Sequence, residues 1–422
     1  MLSSTMITRQ ESRLNKFQWR FGSTKPAAII AQGALILAVL LALVLIASQP
    51  AKAQTETVLY NFTGGTDGLS PTSNLISDGA GNFYGTTLQG GFLGCSGVGC
   101  GVAFELSPNS SGGWTQTVLH SFTGGRDGAN PFIAPLLFHN SKHLYGTTEF
   151  GGRYGFGVVY ELSHSAKGWK ATGLHAFQSG FGHPASSVVM DAHGNLYGTT
   201  SEYIASGGVF EWSHSVKGWL EQDIYNAPTS CGLTMDGSGN LYGTTNSTVF
   251  ELSLVGGVWT PTVLYTFTGM PLDGIGPWTA PVFDAAGNLY GTTYSGGTTN
   301  NGTVYKLIPT KNSQGQVQWT EQILYSFAGG TDGAMPIGQP VLDAAGNIYG
   351  TTQQGGASNY GIVFELVPVA GDNYQEKILW TFQGPDGAGS MAGLILDSAG
   401  VLYGTTPGGG LYGVGVVFSV TP

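Results

Sequence analysis

The sequence has little charge. Asp, Glu, Lys and Arg make up 9% of its 422 residues, against about a quarter in an average soluble protein. Disordered chains combine high charge with few aromatic residues, whereas aromatics here reach 12%. This composition excludes a disordered chain, and the 69 glycines indicate short strands joined by tight turns.

Cysteine is also scarce, with three residues in the chain. Cys95 and Cys100 flank Ser-Gly-Val-Gly. In an oxidising compartment we expect a disulfide across this loop, and two free thiols are the alternative. A zinc site is disfavoured because no second Cys/His pair accompanies them. Cys231 stands alone, and we expect it to be a small buried hydrophobic residue.

Familiar catalytic motifs are missing from the sequence. It contains no G-x-S-x-G elbow, no H-E-x-x-H and no P-loop. Its eight histidines share no position in the repeat described below, and Ser-His-Ser at 163–165 and 213–215 falls in predicted hairpin turns. Carboxylates paired for sugar chemistry cannot be picked out. We therefore predict no catalytic residue and no required cofactor.

The first 53 residues have a composition of their own. Six of the 15 basic residues lie there, with one acid, Glu11. Ala27–Ser48 is uncharged and nearly all apolar, and Ala51-Lys52-Ala53 matches an A-x-A cleavage signal. We predict a signal peptide cleaved after Ala53. The alternative is a retained membrane anchor, because an apolar run of this length also spans a bilayer. Either way the remainder is expected to be exported, whether secreted, periplasmic or on the cell surface.

Export changes the charge balance. Residues 54–422 keep nine basic and 24 acidic residues, a net charge of −15. Such a surface disfavours binding to nucleic acid, whose phosphates need Lys and Arg, and to anionic lipid. We expect a monomer whose partner is a polysaccharide or an extracellular protein, with membrane contact only if Ala27–Ser48 is retained.

The phrase Tyr-Gly-Thr-Thr occurs seven times. Successive copies begin 45 to 61 residues apart, at Tyr84, Tyr145, Tyr197, Tyr242, Tyr290, Tyr349 and Tyr403. Such a period is typical of solenoids, propellers or arrays. One period, residues 281–327, reads as the strands "PVFD", "LYGTT", "TVYKLIP" and "WTEQILYSF", without a helical i, i+3, i+4 stripe. Four short strands are the unit of a β-propeller blade.

The order of the strands predicts how the ring closes. The third-strand pattern occurs seven times, from "GVAFEL" (101–106) to "GVVFSV" (415–420), and so does the fourth-strand pattern, from "TVLYNF" (57–62) to "KILWTF" (377–382). The chain thus begins with the strand that its last blade lacks. We predict an all-β fold, a single seven-bladed propeller over residues 54–422, closed by pairing the N-terminal strand with the last blade. A parallel β-helix is the alternative.

Residues inside the repeat are predicted to have structural roles. In D-x-x-G-N-L-Y the Asp ends the inner strand and Gly-Asn forms the turn, and a calcium loop would need more oxygen ligands. These positions hold Asp78, Asp191, Asp236, Asp284, Asp343 and Asp397, with His139 in blade two. The Gly of Tyr-Gly-Thr-Thr is predicted to let an aromatic ring from a neighbouring strand or blade pack onto the backbone.

A glutamate also recurs in the third strand. It is Glu105, Glu161, Glu211, Glu251 and Glu365, with Lys306 in blade five. A carboxylate at one structural position of successive blades suggests a blade-to-blade hydrogen bond rather than an acid/base pair.

An Asp-Gly phrase links successive blades and places five carboxylates on one face: Asp67, Asp127, Asp273, Asp332 and Asp386. One interpretation is a set of turns, each closed by its own Asp. The other is an acidic ring that binds a cation such as Ca²⁺, or polar sugars. Blades three and four lack the phrase ("QSGFGHP", "NAPTSCG"), and the loop after Thr245 is short. This asymmetry could open a groove, because functional sites often break a repeat's rule; sequence drift explains it equally well.

The phrases "DAAGNLYGTT", "GGASNYGIVFEL" and "LYSFAGGTDGAMPIGQPVLD" resemble the GloVer tandem repeat of exported bacterial proteins known as choice-of-anchor proteins. The resemblance covers about residues 57–420 and implies export and surface display, without an established activity or catalytic residues. Two functions remain open. The first is a propeller that binds a polysaccharide or protein at the cell surface, and the second is an extracellular glycan hydrolase or lyase on the same scaffold.

Overall fold

The computed structural model describes residues 54–179, 182–184, 186–201, 207–215, 218–229, 232–371 and 373–422. The signal peptide or anchor predicted in residues 1–53, and the prediction for Cys231, lie outside this part of the chain.

The fold is all-β, and seven small antiparallel sheets surround an axis as the blades of a propeller. From the axis outward we call their strands inner, second, third and outer. In blades one to four the strands are Ile76–Ser77, Phe83–Thr87, Val102–Pro108 and Trp114–Ser121; Leu137–Asn140, His143–Thr148, Val158–Ser165 and Gly168–Ala176; Val189–Met190, Leu196–Ser201, Gly208–Ser215 and Gly218–Asn226; Thr234–Met235, Leu241–Thr244, Thr248–Val255 and Val258–Thr266.

In blades five to seven they are Val282–Phe283, Leu289–Thr293, Thr303–Lys311 and Val317–Ser326; Val341–Leu342, Ile348–Thr351, Ile362–Val369 and Asn373–Thr381; Ile395–Leu396, Leu402–Thr406, Val416–Thr421 and Thr55–Asn61. Two-residue strands pair beside the blades: His183–Pro184 on blade three, Gly274–Ile275 with Ser295–Gly296, and Gly333–Ala334 with Gln354–Gly355. Cys95–Gly97 forms a 3₁₀ turn.

The ring closes as the strand order predicts. Thr55–Asn61 pairs antiparallel with Val416–Thr421, from Thr55 opposite Thr421 to Asn61 opposite Val416. Without this strand, the third strand of blade seven would be an open edge, which is a template for aggregation. The seven-bladed propeller and its closure are therefore confirmed, and the β-helix alternative is excluded.

The hydrophobic core lies between the blades. Each of the seven clusters of buried residues in the described chain combines side chains of two adjacent blades. At every interface, an aromatic ring at the end of one outer strand packs against the third-strand ring of the next blade. The pairs are Phe62–Phe104, Phe122–Tyr160, Phe177–Phe210, Tyr225–Phe250, Phe267–Tyr305, Phe327–Phe364 and Phe382–Phe418. Six of these pairs are edge-to-face, a favoured geometry for aromatic rings.

The Gly of Tyr-Gly-Thr-Thr lies under a third-strand ring of its own blade. A Cβ atom at Gly85 would come within 2.7 Å of Phe104 Cζ, and one at Gly404 within 2.7 Å of Phe418 Cζ. The other five copies are covered in the same way, Gly146 by Tyr160, Gly198 by Phe210, Gly243 by Phe250, Gly291 by Tyr305 and Gly350 by Phe364. The prediction that Gly admits an aromatic ring is confirmed.

The first Thr of the phrase joins adjacent blades. Its hydroxyl donates to a backbone carbonyl on the inner segment of the next blade, as in Thr351 to Ala392 (2.9 Å) and Thr405 to Ser73 (3.0 Å). Thr86, Thr147, Thr244 and Thr292 make the equivalent bond to Ala134, Ser186, Thr279 and Gly338. A residue type predicted only as a strand former thus also holds the ring together.

Candidate functional site

The two faces of the propeller differ in their loops. The links between blades and the loops from second to third strands share one face, which we call the loop face. Tight turns and hairpins form the opposite face. On that opposite face, each D-x-x-G aspartate accepts the N–H groups two and four residues on, at 2.8 to 3.1 Å. The predicted turn role of these residues is confirmed.

The five link aspartates on the loop face each accept hydrogen bonds from residues that lie shortly before them in the sequence. Asp332 accepts the Ala328 N–H at 2.7 Å and the Tyr325 hydroxyl at 3.1 Å. The other four aspartates each accept a backbone N–H and the side-chain donor of a Tyr, His or Trp on the preceding outer strand, at 2.7 to 3.1 Å. The donors are Thr63 and Tyr60 for Asp67, Thr123 and His120 for Asp127, Thr268 and Tyr265 for Asp273, and Gln383 and Trp380 for Asp386. These bonds support the turn interpretation.

The alternative for these aspartates, a ring that binds a cation or sugars, stays a prediction. In the described part of the chain, no group of three or more His, Cys, Asp or Glu residues is arranged to hold a metal ion. The loop face also carries Cys95 and Cys100, whose Sγ atoms are bonded in the loop of blade one.

The third-strand glutamates differ from their prediction. Across blades, Glu211 accepts the indole N–H of Trp259 at 3.0 Å. The other described contacts of this set lie within one blade, such as Glu365 with Tyr349 (3.1 Å) and Lys377 (3.2 Å). The prediction of a blade-to-blade hydrogen bond as the general role of this position is therefore wrong. In the other blades with this glutamate, a Tyr, Ser, His or Lys of the same blade bonds to the carboxylate. Both Ser-His-Ser copies belong to the ends of third strands rather than to the turns after them.

A cavity of about 330 Å³ lies on the propeller axis. Its walls come from the inner segments of all seven blades: Leu75, Ile76, Leu136, Val188, Val189, Leu233, Ala280, Leu394 and Ile395 are apolar, and Asn74, Ser186, Ser187, Thr279 and Gln339 are neutral and polar. Every described lining residue is uncharged at neutral pH. The volume falls within the range of small-molecule pockets.

Trp278 lines this cavity on the loop-face side. It is 38% exposed, and its indole stacks on Tyr294 of the adjacent loop with ring centroids 5.2 Å apart. Asn74 Oδ1 accepts the Gly393 N–H at 2.6 Å, and Gln339 Nε2 donates to the Ala280 carbonyl at 3.0 Å. These bonds across blades fix both amides beside the cavity.

Ile133 marks an irregularity at the same cavity. Its φ of 43° is a genuine outlier for a β-branched residue. The segment before the inner strand is one residue longer in blade two than in blade one. It runs from the link proline to the residue opposite the Tyr of Tyr-Gly-Thr-Thr, which is Pro131 to Leu137 in blade two and Pro71 to Ile76 in blade one. The strained backbone absorbs the insertion, and strain of this kind concentrates at functional sites.

Exposed apolar side chains are numerous on the loop face. They are Phe92, Leu93, Val98, Phe150, Tyr154, Met270, Leu272, Ile275, Trp278, Tyr360, Leu411 and Tyr412. None belongs to Tyr-Gly-Thr-Thr or to the D-x-x-G turn, so these two motifs do not point to them. Eight other exposed apolar side chains lie on outer strands and at the ends of third strands: Trp219, Leu220, Leu254, Val255, Val258, Val263, Val317 and Val369.

The groove predicted beside blades three and four also stays a prediction, since residues 180–181, 202–206 and 230–231 lie outside the described chain. In place of the missing Asp-Gly phrase, the Thr229 hydroxyl donates to the carbonyls of Thr200 (2.9 Å) and Gly208 (3.1 Å). No helix in the described ranges has the length and apolar character needed to cross a membrane.

The fold and the loop face define a seven-bladed propeller with a neutral axial cavity. The model of the Gloeobacter/Verrucomicrobia repeat matches residues 44–247 and 229–422, so the chain belongs to this family. No curated protein matches the sequence.

Several solved structures share the fold at low sequence identity. YCF48 bound to D1 peptide has 10% identity and a TM-score of 0.50, over 88% of this chain and 96% of that chain. The periplasmic gluconolactonase of Pseudomonas aeruginosa has 16% identity and a TM-score of 0.44, over 74% and 84%. The gluconolactonase of Xanthomonas campestris has 14% identity and a TM-score of 0.40, over 71% and 86%. At such identities, these likenesses show the fold alone.

Proposed function

We propose that this protein is an exported propeller that binds a polysaccharide on its loop face, over the axial cavity. The observation that carries the proposal is the cavity itself. Apolar walls, neutral amides and hydroxyls, and an exposed Trp278 surround a space of about 330 Å³. Functional pockets combine apolar walls with a few convergent polar groups in this way.

The groups beside the cavity suit a neutral sugar unit. A pyranose ring has C–H bonds on its face and hydroxyls at its edge, and an indole offers a large flat apolar surface. Trp278 can receive the face of the sugar, while the second polar atom of the Asn74 and Gln339 amides can bond to its hydroxyls. The exposed aromatic side chains further out on the loop face can extend the contact along a chain of sugars.

Replacing Trp278 with Ala tests the proposal. We expect binding to a responsive polysaccharide, measured by affinity electrophoresis across a panel, to weaken at least about tenfold, since a central aromatic anchor commonly carries much of a binding energy. Trp219→Ala is the matched control, because Trp219 is 41% exposed on the outer strand of blade three, away from the cavity. Equal binding by Trp278→Ala and the wild type would contradict the proposal.

The enzyme alternative is separated in the same experiment. Polysaccharides that the protein retains are analysed for new reducing or unsaturated ends. Retention without product supports binding, and accumulating product supports a hydrolase or lyase.

The export part of the proposal rests on Ala27–Ser48 and on the small-residue signal at Ala51-Lys52-Ala53. N-terminal sequencing of protein recovered outside the cytoplasm is expected to begin at Gln54. An intact N-terminus in the membrane fraction would instead identify the segment as an anchor.

A further inference from the structure

Arginine is rare in the exported part of the chain. Residues 54–422 contain two arginines, Arg126 and Arg153, among nine basic residues. Both line the same cavity of about 260 Å³ on blade two, together with Gly173, Leu174, His175 and Ala176. Both arginines of residues 54–422, a segment with a net charge of −15, therefore line one cavity.

The repeat itself brings these two positions together. The Gly152 N–H donates to the Gly125 carbonyl at 2.7 Å, which fixes the loop of blade two against the link before it. Arg153 and Arg126 are the residues that follow this bonded pair. Blade one has the same bond, Gly91 N–H to Gly65 carbonyl at 2.9 Å. There the following residues are Phe92 and Thr66, so the same geometry carries no charge.

Neither guanidinium is neutralised by a carboxylate in the described residues, because none of the ion pairs there includes Arg126 or Arg153. The side chain of Asp127, which is adjacent in sequence, is held by His120 (2.9 Å) and the Thr123 N–H (2.9 Å). Arg153 lies over the ring of Tyr154, 5.4 Å from its centroid.

His175 is the third polar side chain of this cavity. Its Nε2 atom lies 3.0 Å from Glu221 Oε2 of the next blade, without hydrogen-bonding geometry. Glu221 therefore lies against His175, and no ion pair among the described residues joins it to either arginine.

We propose that Arg126 and Arg153 form an oxyanion-binding site, which takes a carboxylate or sulfate group carried by a sugar. Guanidinium groups are planar and always charged, and they present paired N–H donors that match the oxygens of these groups. In a strongly acidic protein, two arginines without a carboxylate partner form a local attraction for an anion that the rest of the surface repels. The site is separate from the axial cavity, so its affinity for an oxyanion stands by itself, whereas the assignment of that oxyanion to a sugar rests on the proposed polysaccharide function.

The test uses inorganic sulfate, galacturonate and glucose as probes, at constant ionic strength, with the full-length protein. We expect sulfate or galacturonate to bind saturably in calorimetry or NMR titration, and glucose not to compete at this site. Binding of galacturonate but not sulfate identifies a sugar carboxylate as the ligand group, and the reverse identifies a sulfate ester. Absence of saturable binding of either anion overturns the proposal.

The double variant Arg126→Thr, Arg153→Ala removes both charges with residues found at the equivalent positions of blades one and six. We expect at least a tenfold loss of anion affinity without a change in melting temperature. Lys142→Thr is the control, since it removes a positive charge from the turn on the opposite face of the same blade. If the control lowers affinity as much as the double variant, or if the double variant still binds like the wild type, the site is refuted.

Discussion

At the scale of single residues, Tyr-Gly-Thr-Thr has a distinct task for each letter. The Tyr hydroxyl bonds to the turn aspartate in five blades, as in Tyr290 to Asp284 at 3.0 Å. The Gly makes room for a third-strand ring, and the first Thr bonds to the next blade. The role of Gly can be predicted from the sequence, because Gly weakens a strand unless another group packs closely against its backbone. The role of Thr cannot, because Thr is expected in any strand.

Replacing Gly291 with Val is expected to destabilise the protein by about 1–3 kcal/mol, the usual cost of overpacking a core. A Cβ atom at this position would clash with the ring of Tyr305, which is fully buried. Thermal or denaturant unfolding measures the loss. Gly237→Val is the control, since a Cβ there meets nothing within 4 Å and its φ is not positive. An equal effect of the two variants would show that the loss of a glycine by itself, rather than the clash with Tyr305, is responsible.

At the scale of strands, the outer strands of blades five, six and seven share an acidic feature. Glu321, Glu376 and Glu56 lie opposite Leu307, Leu366 and Val420 of the third strands. The pKa of each of these carboxyl groups is raised to about 7. Burial is the larger cause, and the second is the negative charge of a nearby link aspartate, which is Asp273 for Glu321, Asp332 for Glu376 and Asp386 for Glu56. Each glutamate also has one buried oxygen without a hydrogen-bond partner.

These pairs predict that the protein becomes less stable as pH rises from about 4.5 to 7. The folded state keeps protons that the unfolded chain releases near pH 4.5, so stability falls through this window and stays lower above it. Glu321→Gln should flatten the profile and stabilise the protein at pH 8 by about 1 kcal/mol, less than the full linkage value because the group is partly exposed. Unfolding midpoints from pH 4 to 8 measure the effect. An unchanged profile in Glu321→Gln would contradict it.

The repeated motifs do not include these glutamates, because the residue at this position varies among the blades. The equivalent residues in blades one, two and four are Gln116, Ala171 and Pro261, and blade three has Glu221, which lies against His175. Gln116 donates to the Asp67 carbonyl at 3.1 Å, so an amide there makes a bond that a carboxylate cannot. Residues repeated in every blade indicate the interactions that all blades have in common. Interactions that occur in a few blades become visible only in the structure.

At the scale of the whole molecule, the number of blades and the way the ring closes follow from counting strands in the sequence. The axial cavity and the arginine cavity do not. Their residues come from segments distant in sequence and from positions where the repeat varies, so only the closed ring brings Asn74, Trp278 and Gln339 around one space. The fold was therefore predictable from the residues that the seven blades share, whereas the candidate sites are formed by residues that differ from blade to blade.

Closure of the ring depends on the pairing of the N-terminal strand with blade seven. Deleting Thr55–Asn61 removes the outer strand of blade seven. It also removes Leu59 and Tyr60, which pack beside Phe62 in the core between blades seven and one. We expect the deletion to lower the melting temperature by roughly 10 °C or more, since several kcal/mol of packing and strand pairing are lost, and to promote aggregation at the open edge. Adding the peptide TETVLYN in trans should restore part of the stability, because the edge of Val416–Thr421 then regains its partner. A scrambled peptide of the same composition is the control. A truncated protein that melts like the intact one, or a scrambled peptide that rescues equally, would mean that the seven blades hold together without strand closure.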